Sequence, residues 1–192
     1  FLNFTKEIGE INNSVNSDIE KLNNSKMKNG STVSQNLIDL IAKIGEKITL
    51  RRSTYYDKKE GKNFFYVHSA IEKNIGKIIS IVKVDNMKDD QSDLGNKLAM
   101  HIAALNPLAI DKAGLKKEIL DKELEIIKAE LENSGKKAEM IEKISIGKLN
   151  KFISDNTLLN QIWIMDPKKK VSDILKDIKI IDFTRYKVGE GV

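Results

Sequence analysis

The sequence has no cysteine at all among its 192 residues. That excludes a disulfide framework, thiolate zinc sites, iron–sulfur clusters and a cysteine nucleophile, and it fits a reducing, cytosolic compartment. Arginine is nearly absent: only Arg51, Arg52 and Arg185 occur, against thirty lysines. A specific reader of nucleic acid needs the guanidinium fork for guanine edges and phosphate, so this composition disfavours one. Histidine occurs twice, as His68 and His101, without the spacing of a metal pair. No apolar run approaches the roughly 18–20 residues that span a bilayer, and the first residues carry no signal-peptide pattern. Walker-type lysine loops and nucleophile elbows are missing from the sequence too.

What is present is an ordinary globular balance, 40% hydrophobic and 32% charged, with a mild net charge of +5. A chain this long buries about 70% of its unfolded surface and needs no covalent staple. The acidic groups Asp89, Asp90 and Asp93, and Glu123 with Glu125, converge on no nucleophile and read as solvated faces. Lys168-Lys169-Lys170 could touch phosphate but reads as a charged loop after Pro167. Gly189 and Gly191 open no helix and so make no phosphate cradle.

Periodicity lays out the elements. Apolar residues at 1, 4, 8, 11 and 15 predict an amphipathic helix, and 18–24 a short helical turn. Ser31 or Thr32 caps the next helix, with Val33, Leu37, Ile38, Ile41 and Ile44 on one face and Gly45 as C-cap. Alternation over 47–55 predicts a half-buried strand, followed by strands at 64–68 and 76–84. Leu94, Leu98, Ile102 and Leu105 share one face of a helix ended by Asn106-Pro107. Leu108 to Ile110 suggests an edge strand. Leu120, Leu124, Ile127 and Leu131 step like a heptad, and Asn133 to Lys136 turns into a second amphipathic helix. A helix at 171–177 and a strand at 178–188 close the chain. The expected fold is α+β: two subdomains, 1–88 and 89–192, each an antiparallel sheet with packed helices, plus a projecting antiparallel helical hairpin at about 115–154. With no evident active site, a binding role is expected rather than an enzyme.

Several stretches fall together in order. Lys97-Leu-Ala-Met-His-Ile-Ala-Ala-Leu-Asn-Pro107 resembles the Met-His helix of bacterial elongation factor Ts. Ile141-Glu-Lys-Ile-Ser-Ile-Gly-Lys-Leu-Asn-Lys-Phe152 resembles that family's Glu-Lys…Gly-Lys/Arg…Lys-Phe helix. Thr157-Leu-Leu-Asn-Gln161, Asp166-Pro-Lys-Lys-Lys-Val171 and Phe183-Thr-Arg-Tyr-Lys-Val-Gly-Glu-Gly191 are similar to its later motifs. Ile44-Gly-Glu-Lys-Ile-Thr-Leu-Arg-Arg52, Tyr66-Val-His68 and Ile75-Gly76 precede them in the family's order. Gln161-Ile-Trp163 departs from the family's usual Gln-Pro-Phe.

The resemblance implies a cytoplasmic translation factor, without cofactor or metal, that binds elongation factor Tu in its GDP-bound and nucleotide-free states and promotes GDP release. It implies no membrane partner and no direct nucleic-acid contact. Ile75 and Gly76 match the family's contact with the partner's GTPase domain, and His101 its contact with the third domain. The family's N-terminal helical module and Thr-Asp-Phe-Val motif do not occur in this sequence. Phe1 falls just after the place of that motif, so the sequence reads as the core region of a longer protein. An RNA- or ribosome-binding module, suggested by the lysines and a pI near 9.1, is the alternative.

Overall fold

The computed structural model describes residues 1–135 and 137–191. It is α+β, with seven α-helices and one three-stranded antiparallel sheet among the described residues. The chain divides into two compact units.

The first unit comprises residues 1–59 and 70–76. Helix α1 (Leu2–Ser14), α2 (Ile19–Asn24) and α3 (Val33–Ile44) supply its regular structure. The Asp18 carboxylate accepts from the Lys21 N–H and starts α2. Thr32 accepts from the Gln35 N–H at 3.2 Å and starts α3, which stops at Gly45 in the left-handed region, φ 78°. Both ends of α3 were legible as capping chemistry. Leu22, Met27 and Val33 are buried, while Ile38 and Ile44 on the apolar stripe remain exposed.

The strand expected at 47–55 does not form: residues 46–57 lie outside any helix or strand. The segment is pinned by side chains to the α1–α2 region instead. Ser53 Oγ donates to the Ser17 carbonyl at 2.9 Å, and Asn12 Nδ2 donates to the Thr54 carbonyl at 3.2 Å. Period-two alternation marks any extended segment lying on a surface, and here that surface is helical.

The second unit comprises residues 60–69 and those from Lys77 onward. Strand β1 (Lys62–Glu72) turns at Lys73-Asn74 into β2 (Ile75–Asp85), so the far end of this hairpin, 70–76, clusters with the first unit. β3 (Lys179–Lys187) pairs antiparallel with β2, in the order β1-β2-β3. The expectation of a separate sheet in each subdomain is therefore corrected, since the closing strand completes the hairpin's own sheet. The difference from a boundary at residue 88 has the same origin. Leu108 to Ile110 contributes only an isolated bridge, Ala109 to Thr157.

Central β2 carries a near-continuous Ile and Val run and lies between β1 and β3 in the sheet. Ser80, Val82 and Val84 face inward. A register shift between Lys83 and Val84 lets Ile180 and Phe183, three residues apart, both pack on the same core. Against this face lies α4 (Ser92–Leu105), burying Leu98, Ala99, Ile102 and Ala103. Ser80 Oγ donates to the Ala99 carbonyl at 2.6 Å, tying strand to helix. Asn106 in the left-handed region and Pro107 end α4 as their chemistry dictates. Gly95 makes room for the Phe64 ring: a Cβ there would sit 2.5 Å from it.

Helices α5 (Lys117–Asn133) and α6 (Ala138–Asn156) pack on each other, with Lys148 paired to Glu130 at 3.1 Å. Ile127 and Leu131 are the buried members of the heptad stripe. Ser134 and Gly135 turn the chain; Lys136 lies outside the described residues. The short α7 (Val171–Leu175) precedes β3.

Candidate partner interface

Residue types on the C-terminal turns of α4 decide what is built there. A histidine on the buried face of a helix must find partners for both ring nitrogens or cost about 1–3 kcal/mol. His101 has no exposed surface. Its Nδ1 accepts from the Ile164 N–H at 3.4 Å, which leaves the proton on Nε2. Nε2 then donates to Gln161 Oε1 at 3.1 Å. The Gln161 amide donates onward to the carbonyls of Leu105, at 3.3 Å, and Asp155, at 2.8 Å. Those two carbonyls belong to the last turns of α4 and α6, which lack partners inside their own helices. One glutamine thus caps two helices and satisfies a buried imidazole.

Trp163, the single tryptophan, stacks on the His101 ring with centroids 5.1 Å apart and planes 20° from parallel. Burial holds the imidazole below its ordinary pKa of 6.5, with the Gln161 hydrogen bond opposing the shift. The ring is neutral at pH 7. Arg185 finishes the end of α4: its Nε donates to the Ala103 carbonyl at 2.9 Å while a terminal nitrogen pairs with Glu190 at 2.9 Å.

The loop after Gln161 alternates. Gln161 and Trp163 point inward; Ile162, Ile164 and Met165 point out. It is closed by Trp163 N–H to the Lys169 carbonyl, 2.8 Å, and Val171 N–H to the Gln161 carbonyl, 3.0 Å.

The predicted site residues divide between the units. Ile75 and Gly76 sit in the first, directly after the hairpin turn, where Asn74 has φ 64°. Both are half-buried, and the neighbouring Glu72 pairs with Lys6 of α1. His101 sits in the second, as a fully buried core residue. A ring with no accessible surface does not itself meet a partner in this conformation; it supports the loop and helix end that are exposed. Sequence reasoning passed over Gln161, Trp163 and Arg185 as mere parts of a resemblance. Their signal was chemical: a histidine between Met100 and Ile102 on the apolar face of α4 needs a polar neighbour, and the inward alternation around Ile162 supplies one.

No group of three or more His, Cys, Asp or Glu side chains converges as a metal site among the described residues. The hollow beside α2, lined by Asp18, Glu20, Lys21, Asn24 and Ser25, is open and solvated. Asp18 lies below the usual carboxylate range because it holds the Lys21 N–H and side chain. No described helix is long and apolar enough to cross a membrane.

The best-built feature of this α+β chain is a buried hydrogen-bonded relay beneath an exposed apolar loop. Comparison places the chain among known proteins: it belongs to the Elongation factor TS family, whose model matches residues 1–190. It is 36% identical over 202 aligned residues to Elongation factor Ts of Nitrobacter hamburgensis, covering all of this chain and 66% of that protein. Elongation factor Ts of Bradyrhizobium sp. is 37% identical over 203 residues, with 66% of its length covered. That of Gluconobacter oxydans is 32% identical over 196, with 65% covered. The chain therefore spans just under two thirds of the length of these relatives.

Proposed function

We propose that this chain binds elongation factor Tu carrying GDP and accelerates release of the nucleotide, as a cytoplasmic translation factor that forms and breaks no covalent bond. The observation that carries the reading is the family match over residues 1–190. Binding alone is not exchange. A factor with equal affinity for the GDP-bound and nucleotide-free partner shifts nothing. One that prefers the nucleotide-free form weakens GDP by the same factor, since coupling is reciprocal. A thousandfold preference corresponds to about 4 kcal/mol.

Two elements share the work in this reading. Ile75 and Gly76 press on the GTPase domain from the hairpin turn, where a glycine admits close backbone approach. The end of α4 meets the third domain through the surface that His101 supports from below. Helices α5 and α6 form the projecting hairpin of the C-terminal subdomain. The test is the release rate of a fluorescent GDP from elongation factor Tu with and without saturating chain. Faster release is expected. A complex that forms without faster release reduces the role to binding. No complex, together with salt-steep RNA binding, replaces it with the RNA- or ribosome-binding alternative.

A further inference from the structure

An asparagine followed by glycine is open to attack by its own backbone. The glycine carries no side chain, so its amide nitrogen can reach the asparagine carboxamide carbon. Asn29-Gly30 is the single such pair in the sequence. It stands at the tip of a small hairpin in the first unit. Lys26 and Thr32 form an antiparallel bridge, the Met27 N–H donates to the Ser31 carbonyl at 2.9 Å, and the Gly30 N–H donates to the Met27 carbonyl at 2.8 Å. Gly30, with φ 86°, is the left-handed residue that completes a three-residue hairpin loop. Both tip residues are exposed to water, whereas Met27 and Val33 at the base are buried.

The Asn29 side chain is held in place. Its Nδ2 donates to Asn36 Oδ1 at 2.6 Å, and Asn36 Nδ2 donates back to Asn29 Oδ1 at 3.2 Å. The Ser31 N–H donates to the same Asn29 oxygen at 3.1 Å. Asn36 is fixed in turn, because its Nδ2 also donates to the Thr32 carbonyl at 2.9 Å. Turning that amide over would set its oxygen against the carbonyl. Ring closure needs the Gly30 nitrogen freed of its turn bond and the Asn29 carboxamide swung toward it. Both groups are occupied in the closed hairpin. The reaction therefore waits for a local opening, and its rate follows the open population.

We propose that Asn29 is a site of spontaneous covalent modification, and that its reciprocal amide pair with Asn36 is the brake on the reaction. The only co-reactant is water. The Gly30 nitrogen gives its proton to solvent and bonds to Asn29 Cγ; the Cγ–Nδ2 bond breaks, ammonia leaves and a cyclic imide forms. Water then opens the imide at either carbonyl. One product is aspartate; the other is isoaspartate, in which the backbone runs through the former side chain. Neither restores the clasp. Aspartate sets a carboxylate oxygen against Asn36 Oδ1, where Asn29 had offered a donor. Isoaspartate lengthens the tip and breaks the turn from Gly30 to Met27. Because the ammonia is lost, the amide does not re-form, and the modified fraction records how often the start of α3 has opened.

The experiment is incubation of the full chain at mildly alkaline pH, in buffer and in denaturing urea, followed by trypsin digestion and mass spectrometry of the peptide 29–43. Conversion of amide to acid at Asn29 is expected in two chromatographic peaks of equal mass, aspartyl and isoaspartyl, at least about tenfold slower in buffer than in urea. Asn36→Ala deletes both bonds of the clasp and leaves a good helix former in α3. It should speed conversion in buffer about tenfold and leave the rate in urea unchanged. Ser34→Ala removes a hydrogen bond to the Asn23 carbonyl from the same turn of α3 without touching Asn29, and should convert at the parent's rate. Conversion in buffer as fast as in urea refutes the brake, and so does an Asn36→Ala rate within about twofold of the parent's. Ser34→Ala as fast as Asn36→Ala makes general loosening of α3 the cause and overturns the proposal. A single aspartyl product refutes the imide route. No conversion in buffer over a period about a hundredfold longer than urea requires refutes the site itself. None of these outcomes bears on the exchange reading.

Discussion

Replacing Gln161 by leucine keeps most of its volume and removes all three of its side-chain hydrogen bonds. The His101 Nε2–H is then left in a site with no accessible surface, at a cost of about 1–3 kcal/mol. The Leu105 and Asp155 carbonyls each lose a donor, for about 0.5–1.5 kcal/mol apiece, partly recovered from water. The sum is about 3 kcal/mol, or a fall of about 6–12 °C in melting temperature for a chain of this size. Urea unfolding followed by the emission of Trp163 reads the change directly, because the only tryptophan stacks on the affected ring. Ile162→Ser, one residue away but facing out, should change stability by no more than about 0.5 kcal/mol. If Gln161→Leu costs less than about 1 kcal/mol, below the penalty of a single buried unpaired donor, the relay does not hold these elements together and the account of the site fails.

Two glycines should respond in opposite directions. Gly95→Ala forces a methyl into the Phe64 ring and should cost about 1–3 kcal/mol in a melt, offset by under about 1 kcal/mol of helix propensity. Gly147→Ala, exposed in α6 with open space around it, should gain up to about 1 kcal/mol. Acidification should weaken the fold near neutrality. The unfolded chain protonates His101 near 6.5, whereas the folded chain resists, so the unfolded state binds more protons there. The contribution is whole above about pH 6.5 and is lost as pH falls through the lowered folded value. Urea midpoints at pH 7.5 and 5.5 should converge in His101→Asn. Asp18 and Asp89, held low by the Lys21 N–H and by the Lys62 side chain, act only at lower pH. Arg185→Lys breaks the fork that spans Ala103 and Glu190 and should cost about 1–3 kcal/mol, read as a lower urea midpoint.

Local chemistry was readable where it decides local structure. Thr32 and Gly45 bound α3, and Asn106-Pro107 ends α4, because a cap is satisfied by its own neighbours. The helices around Leu131 and Ile153 show in spacing alone. What stayed hidden depends on distant pairing. Nothing in the alternation at 47–55 distinguishes a strand from an extended segment pinned by Asn12 and Ser17, and nothing in Ile180 or Phe183 names β2 as their neighbour. Ile75 and Gly76 could be placed beside a turn, which is where they lie. His101 could be placed on a helix, yet its burial is decided by Gln161 and Trp163, some sixty residues on.

The pairing of β2 with β3 joins positions about a hundred residues apart, such as Ile81 and Thr184. As the chain leaves the ribosome, the β1–β2 hairpin therefore exists long before its third strand. Throughout that interval one side of an Ile- and Val-rich strand presents unbonded N–H and C=O groups, a template for pairing with other chains. Closing so long a loop is slow but costs only logarithmically more than closing a short one. The burden thus falls on timing rather than on final stability: until Lys179–Lys187 has been made, a nascent chain of this protein carries an open sheet edge that this later strand must reach first.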